Sequence, residues 1–115
     1  MIQIFGTNKC KESAKALRFF KERNIKIHFV DLSDKGISKG ELQNISRSIP
    51  LSDLIDTESK EYKRLNLKYM KFIFEDEILA HPLIIRTPIV RSGKKSTCGF
   101  KPDVWSEMAL VEQAL

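Results

Sequence analysis

The apolar positions change their period along the chain, and each change marks an element. Ile2-Gln3-Ile4-Phe5 is a short run of strand formers closed by Gly6, which predicts a first strand. From Lys11 to Arg23 the spacing is helical. Ala14, Leu17 and Phe20 share one stripe, Ala16 and Phe19 widen it, and Asn24 ends it. Ile27-His28-Phe29-Val30, within the alternating stretch Ile25 to Leu32, predicts a second strand. Strand, helix, strand in so short a span is a βαβ unit, which implies parallel strands and a right-handed crossover.

Ser38 and Glu41 have the spacing of a capping box, with Ile37 and Leu42 flanking it as a hydrophobic staple. Leu42, Ile45 and Ile49 then form one face of a helix that must end before Pro50. From Pro50 to His81 the pattern stays helical but broken, as in Leu51-Leu54-Ile55, Tyr62-Leu65 and Phe74-Ile78-Leu79, which predicts two or three short helices. Leu83-Ile84-Ile85 reads as a buried strand running into Arg86-Thr87-Pro88. Ile89-Val90-Arg91, a turn at Ser92-Gly93-Lys94, and Lys95 to Cys98 read as a hairpin. Pro102 suits a first helical position and Asp103 a first turn. They open a last helix carrying Val104, Trp105, Met108 and Val111, with Phe100 and Trp105 as its anchors. The order βαβ, helices, ββα predicts an α/β fold in one domain over residues 1–115, with a helical insertion at about 38–81.

Composition narrows the setting. With 42% hydrophobic residues in 115, the chain has enough apolar material for an ordinary core. Its two cysteines, Cys10 and Cys98, are too few for a disulfide-stapled secreted domain. The segment Met1 to Gly6 lacks the charged and apolar regions of a signal peptide, and no run approaches the ~18 apolar residues of a membrane span. A cytoplasmic protein without membrane contact is expected, and a monomer. The net charge of +5 is spread over helix faces mixed with Asp and Glu. That pattern suits solubility and mild attraction for anions rather than direct nucleic-acid binding. His28 and His81 have no companions at metal-ligand spacing, so both are read as structural and no metal site is expected.

Cys10 is the residue most suited to chemistry. A thiol is nucleophilic only as thiolate, and a helix N-terminus with its unpaired N–H groups favours that anion. Lys9 and Lys11 add positive charge beside it. Ser13, one helical turn on, can donate its hydroxyl to the sulfur. Cys10-Lys11-Glu12-Ser13 is a Cys-x-x-Ser site between a strand and a helix, and no disulfide can form inside it. Any mixed disulfide must be resolved by an external thiol such as glutathione or by a distant cysteine. Cys98 is the only internal candidate for that, and its other reading is a strand residue facing the core. Arg91, Lys94, Lys95 and Lys101 are candidates for glutathione carboxylates, with Lys94 and Lys95 also read as a solvated hairpin tip.

Three segments carry a resemblance: Asn8-Lys9-Cys10, His81 to Val90 with Arg86-Thr87-Pro88 inside it, and Gly99-Phe100-Lys101-Pro102-Asp103-Val104-Trp105. Together with the element order, they resemble the arsenate reductase-like family of ArsC enzymes, Spx regulators and YffB-type proteins, with the last segment most similar to the YffB branch. The resemblance covers essentially the whole chain. It implies a thioredoxin-like (glutaredoxin-like) sheet with a helical insertion, Cys10 as nucleophile, and Pro88 in the cis form beside the thiol. It also implies a substrate or glutathione site around Asn8, Arg86, Thr87, Pro88, Arg91 and Lys101. The pattern departs from the family at two places. Arsenate reductases set an arginine directly before the cis-proline and another in the helical insertion, where this chain has Thr87 and Asp56. Arg86 sits one residue early, and adjacent strand residues face opposite ways.

The expectation is a monothiol oxidoreductase with glutathione as co-substrate, no bound cofactor, and poor reduction of arsenate. Two alternatives stand beside it: a Spx-like regulator that binds RNA polymerase without catalysis, and a degenerate member that keeps only the fold.

Overall fold

The computed structural model describes residues 1–114. Four strands form one sheet in the order β2-β1-β3-β4: β1 (Ile2–Gly6), β2 (Ile27–Asp31), β3 (Ile89–Ser92) and β4 (Lys95–Cys98). β1 runs parallel to β2 and antiparallel to β3, and β4 folds back antiparallel on β3. The crossover from β1 to β2 is helix α1 (Lys11–Lys21), and the chain closes on α5 (Pro102–Ala114). Between β2 and β3 lie α2 (Lys39–Ser46), α3 (Lys60–Arg64) and α4 (Phe74–Ala80), separated by tight turns of 3-10 helix. This βαβ, helical excursion, ββα order is a thioredoxin-like fold. Among the described residues no helix is long and apolar enough to cross a membrane.

Central position explains why β1 has so little polar sequence. Its side chains alternate between faces, and both faces are covered. On one face Ile2, Ile4 and Val90 pack with Ala16 and Phe20 of α1 and Trp105, Met108 and Ala109 of α5. On the other, Phe5 and Ile89 meet Leu42, Ile45, Leu54, Ile78 and Ile84 of the excursion. Trp105 is fully buried, and its Nε1 donates to Thr97 Oγ1 at 3.2 Å, so the indole carries no unpaired donor into the core.

Local signals in the sequence appear as the expected caps and turns. Ser38 Oγ accepts from Glu41 N at 3.1 Å, and Glu41 Oε1 accepts from Ser38 N at 2.9 Å, which completes the capping box of α2. Asn24 adopts φ 57° after α1, and Gly93 takes φ 60° in the hairpin turn. The excursion contains two short α-helices after α2, within the predicted number.

Four expectations need correction. The buried face of α1 is Ser13, Ala16 and Phe20, and Ala14 is exposed. The stripe is turned because Gly6 leaves room for Ser13 against the sheet. α1 stops at Lys21 rather than Arg23, whereas α2 ends at Ser46, before Pro50 as expected, with Ile49 beyond its last turn. Pro82 to Ile84 forms a 3-10 turn rather than a strand, with only Ile85 bridging to Ile55. Leu83 is accordingly 40% exposed. Val111 of α5 also faces outward, because Ala109 takes the inner position beside Met108.

A Cβ on Gly6 would collide with Ser13 Oγ and approach Ser13 Cβ to 2.8 Å. Backbone and a short, buried side chain cannot yield cheaply there. Gly6→Ala is expected to destabilise the fold by about 1–3 kcal/mol, the range of overpacking in a filled core. Urea denaturation checks it, and an unchanged midpoint would show that α1 can move away from β1.

Candidate active site

Cys10 is the N-cap of α1, with extended backbone angles of φ −87° and ψ 118°. Its Sγ accepts from Ser13 N at 3.4 Å, the contact that a serine or aspartate oxygen makes at other helix starts. The antiparallel pairing of β1 and β3 sets Phe5 opposite Ile89 and brings the chain before β3 to the same end of the sheet. There Thr87 Oγ1 donates to Cys10 Sγ at 3.0 Å, and Thr87 O lies 3.9 Å from the sulfur. The Thr87–Pro88 peptide bond is cis, as the family resemblance implies.

Burial pushes the Cys10 thiol up, but hydrogen bonding outweighs it and the thiol lies below its ordinary value. The Ser13 and Thr87 hydroxyls and the N–H groups of Ser13 and Glu12 are the stabilising groups. Ser13 is completely buried; its side chain is among the groups that lower the Cys10 thiol, and its backbone N–H adds a bond to Sγ at 3.4 Å beside the one from Thr87 Oγ1.

A family model for the ArsC family matches residues 5–108. The chain belongs to the ArsC family. It is 29% identical over 106 residues to the uncharacterized protein YusI of Bacillus subtilis, which covers 86% of this chain and 90% of YusI. It is 26% identical over 108 residues to the global transcriptional regulator Spx 2 of Bacillus anthracis, covering 90% of this chain and 82% of that protein. Among solved structures, a YffB protein superposes with TM-score 0.83 at 19% identity, over 95% of this chain and 99% of that one. An arsenate reductase from Vibrio cholerae superposes with TM-score 0.79 at 20% identity, over 93% and 96%. Identities this low show the shared fold.

Within this ArsC-family chain, the remaining candidate residues divide by position. Lys9 and Lys11 are exposed and are not among the groups that lower the Cys10 thiol, since long side chains in water are screened. Asn8 turns away, donating to Asp31 Oδ2 at 3.4 Å. Arg91 lies at the other end of the sheet, bonded to Gln3 Oε1 and Gly93 O, so the structure does not bring it to Cys10. Arg86 and Lys101 do come together, on a cleft of about 840 Å³ shared with Asp53, Ser96 and Cys98. Arg86 and Thr87 lie in the bend before β3 rather than in a strand, so strand alternation does not place them; Thr87 nonetheless reaches the Cys10 sulfur while Arg86 lines the cleft.

Cys98 is half-buried at the cleft wall, its Sγ donating to Arg86 O at 3.2 Å. Burial pushes its thiol up to about 11, with Asp53 and Asp56 adding to that effect and Arg86 and Lys101 opposing it. Sequence reasoning missed Asp53 and Ser96, which carry no local motif, and the role of Gly6 as the space that Ser13 fills. It also placed Thr87 with the substrate rather than on the sulfur.

Opposite shifts make the two cysteines separable. A neutral alkylating reagent is expected to modify Cys10 with a midpoint below that of a free thiol, and to spare Cys98 until pH approaches 11. Thr87→Val removes one bond to the thiolate. About tenfold of thiolate population is lost for ~1.4 kcal/mol, and a more basic sulfur recovers part of it. The alkylation rate at neutral pH should therefore fall about threefold. An unchanged rate would remove Thr87 from the site.

Proposed function

We propose that this chain is a monothiol, glutathione-dependent thiol/disulfide oxidoreductase working through Cys10 in the cytoplasm. The observation that carries the reading is the sulfur at the N-cap of α1 with Thr87 Oγ1 3.0 Å away. The Cys10 thiolate attacks one sulfur of a disulfide R–S–S–R′, forming Cys10–S–S–R and expelling R′–S⁻, which is protonated from water. Ser13 stands where a second thiol would be needed to resolve this intermediate internally. Glutathione thiolate instead attacks the R sulfur, giving R–S–S–G and returning the Cys10 thiolate. The groups that lower the thiol act twice, since a sulfur held as thiolate is also a better leaving group.

Arsenate fits this site poorly. Thr87 stands where arsenate reductases carry an arginine, and Arg86 lines the cleft beside Cys98. Asp56 is fixed by its own backbone bonds, with its N donating to Ile84 O and its Oδ1 accepting from Glu58 N. Each charge-assisted bond to an oxyanion contributes ~1.5–3 kcal/mol, so two missing arginines cost about two to four orders of magnitude in rate.

A second reading draws on the likeness to the transcriptional regulator Spx 2 and on one surface of the excursion. Tyr69, Met70, Ile73 and Phe74 are 81%, 56%, 67% and 42% exposed, a face suited to a protein partner. In that reading the protein docks on RNA polymerase and Cys10 does not turn over.

Oxidised glutathione is expected to add one glutathione to Cys10 of the folded protein and none to Cys10→Ser, as mass spectrometry would read. Glutathione-coupled turnover of a small disulfide should vanish in Cys10→Ser and exceed arsenate turnover at least ~100-fold. No adduct and no turnover, together with saturable binding to purified RNA polymerase, would establish the regulator instead.

A further inference from the structure

The cleft beside Arg86 has features that exchange at Cys10 does not use. Ser96 is 7% exposed, lines the cleft, and its Oγ has no hydrogen-bond partner. Its backbone N–H is satisfied by Ser48 Oγ at 3.3 Å, and the next hydroxyl, Thr97 Oγ1, accepts from Trp105. Buried hydroxyls are nearly always paired, so an open one on a cleft wall points to a group that arrives from outside. Arg86 and Lys101 border the same space, and neither makes an ion pair among the described residues. Asp53, from the turn Leu51–Leu54, supplies a carboxylate that is likewise unpaired among the described residues. Ile55 and Val104 contribute apolar surface between these charges.

A plain anion would meet the two cations but also Asp53, with Asp56 close by. A ligand bearing both charges satisfies all of them. We propose that this cleft is a subsite for the zwitterionic end of a peptide thiol: Arg86 and Lys101 take carboxylate, Asp53 takes the ammonium group, and Ser96 Oγ bonds a peptide or carboxylate oxygen. The volume of about 840 Å³ is in the range that holds small ligands. The inference rests on the proposed exchange at Cys10, and the Arg86–Thr87 peptide links the two places. Thr87 Oγ1 reaches the Cys10 sulfur, while Arg86 O takes the Cys98 thiol inside the cleft. Protonated Cys98 serves there as wall rather than as a resolving thiol.

S-methylglutathione tests the subsite without disulfide chemistry, because its sulfur is blocked. Titration into isotope-labelled protein should give saturable shifts at the amides of Ser96, Cys98 and Lys101. The N-acetyl derivative, which lacks the ammonium group, should bind about tenfold more weakly. Asp53→Asn should weaken S-methylglutathione by about the same factor and leave the N-acetyl form unaffected. Ser96→Ala should lose affinity while the free protein melts no lower, since the hydroxyl makes no bond there. Absence of cleft shifts, or equal loss of both ligands in Asp53→Asn, would overturn the subsite. So would inorganic phosphate binding there more tightly in Asp53→Asn, which would mark an anion site. Binding without any exchange at Cys10 would sink the proposed activity and leave the subsite standing. Exchange at equal rates with glutathione and an amine-free thiol, without cleft shifts, would do the reverse.

Discussion

The antiparallel pairing of β1 with β3 sets Phe5 opposite Ile89 and so brings two chain ends to one end of the sheet. One is the loop that leaves β1 for α1, carrying Cys10. The other is the segment that enters β3, carrying Arg86, Thr87 and Pro88. Residues 77 positions apart in sequence then share a 3.0 Å hydrogen bond. The pairing holds because β1 is central and buried on both faces, with Ile2 and Ile4 on one core and Phe5 on the other. Slipping the register by one residue would send each of these to the wrong side.

Two opposing effects meet at the sulfur, and local bonds win. Burial raises a thiol, and it raises both cysteines of this chain. Cys10 escapes because it sits where a helix leaves N–H groups unpaired, with a threonine hydroxyl completing the shell. Cys98 is a donor to carbonyl oxygens, which favour its protonated form, and acidic neighbours oppose its ionisation. The same fold thereby holds one thiol in an activating environment and one in an inert environment on either side of the Arg86–Thr87 peptide.

Replacing arginine by Thr87 before the cis-proline exchanges one kind of chemistry for another. A guanidinium there would neutralise an oxyanion substrate, whereas a neutral hydroxyl stabilises the thiolate itself and leaves the substrate side uncharged. The positive charge moves to Arg86 and Lys101, where the cleft also presents Asp53. On the proposed reading, an arrangement of mixed charge favours ligands of mixed charge over a plain oxyanion.

Much of the fold was legible in the sequence because its signals are local. The strand runs, the capping box at Ser38 and Glu41, the hairpin turn at Gly93 and the helix opening at Pro102 each depend on neighbours a few residues away. Cys10 at a helix start was legible for the same reason. Where the expectation failed, a distant contact decided. Leu83-Ile84-Ile85 has strand residues but only one bridging partner, so it closes as a turn. Ser13 is buried because Gly6 leaves space for it, which no helical periodicity records. Thr87 on the sulfur, Arg91 at the far end of the sheet, and Asp53, Ser96 and Lys101 around one cleft depend on strand order and register. Periodicity specifies which face a residue takes along its own element, and only the packing of elements against one another specifies what that face meets.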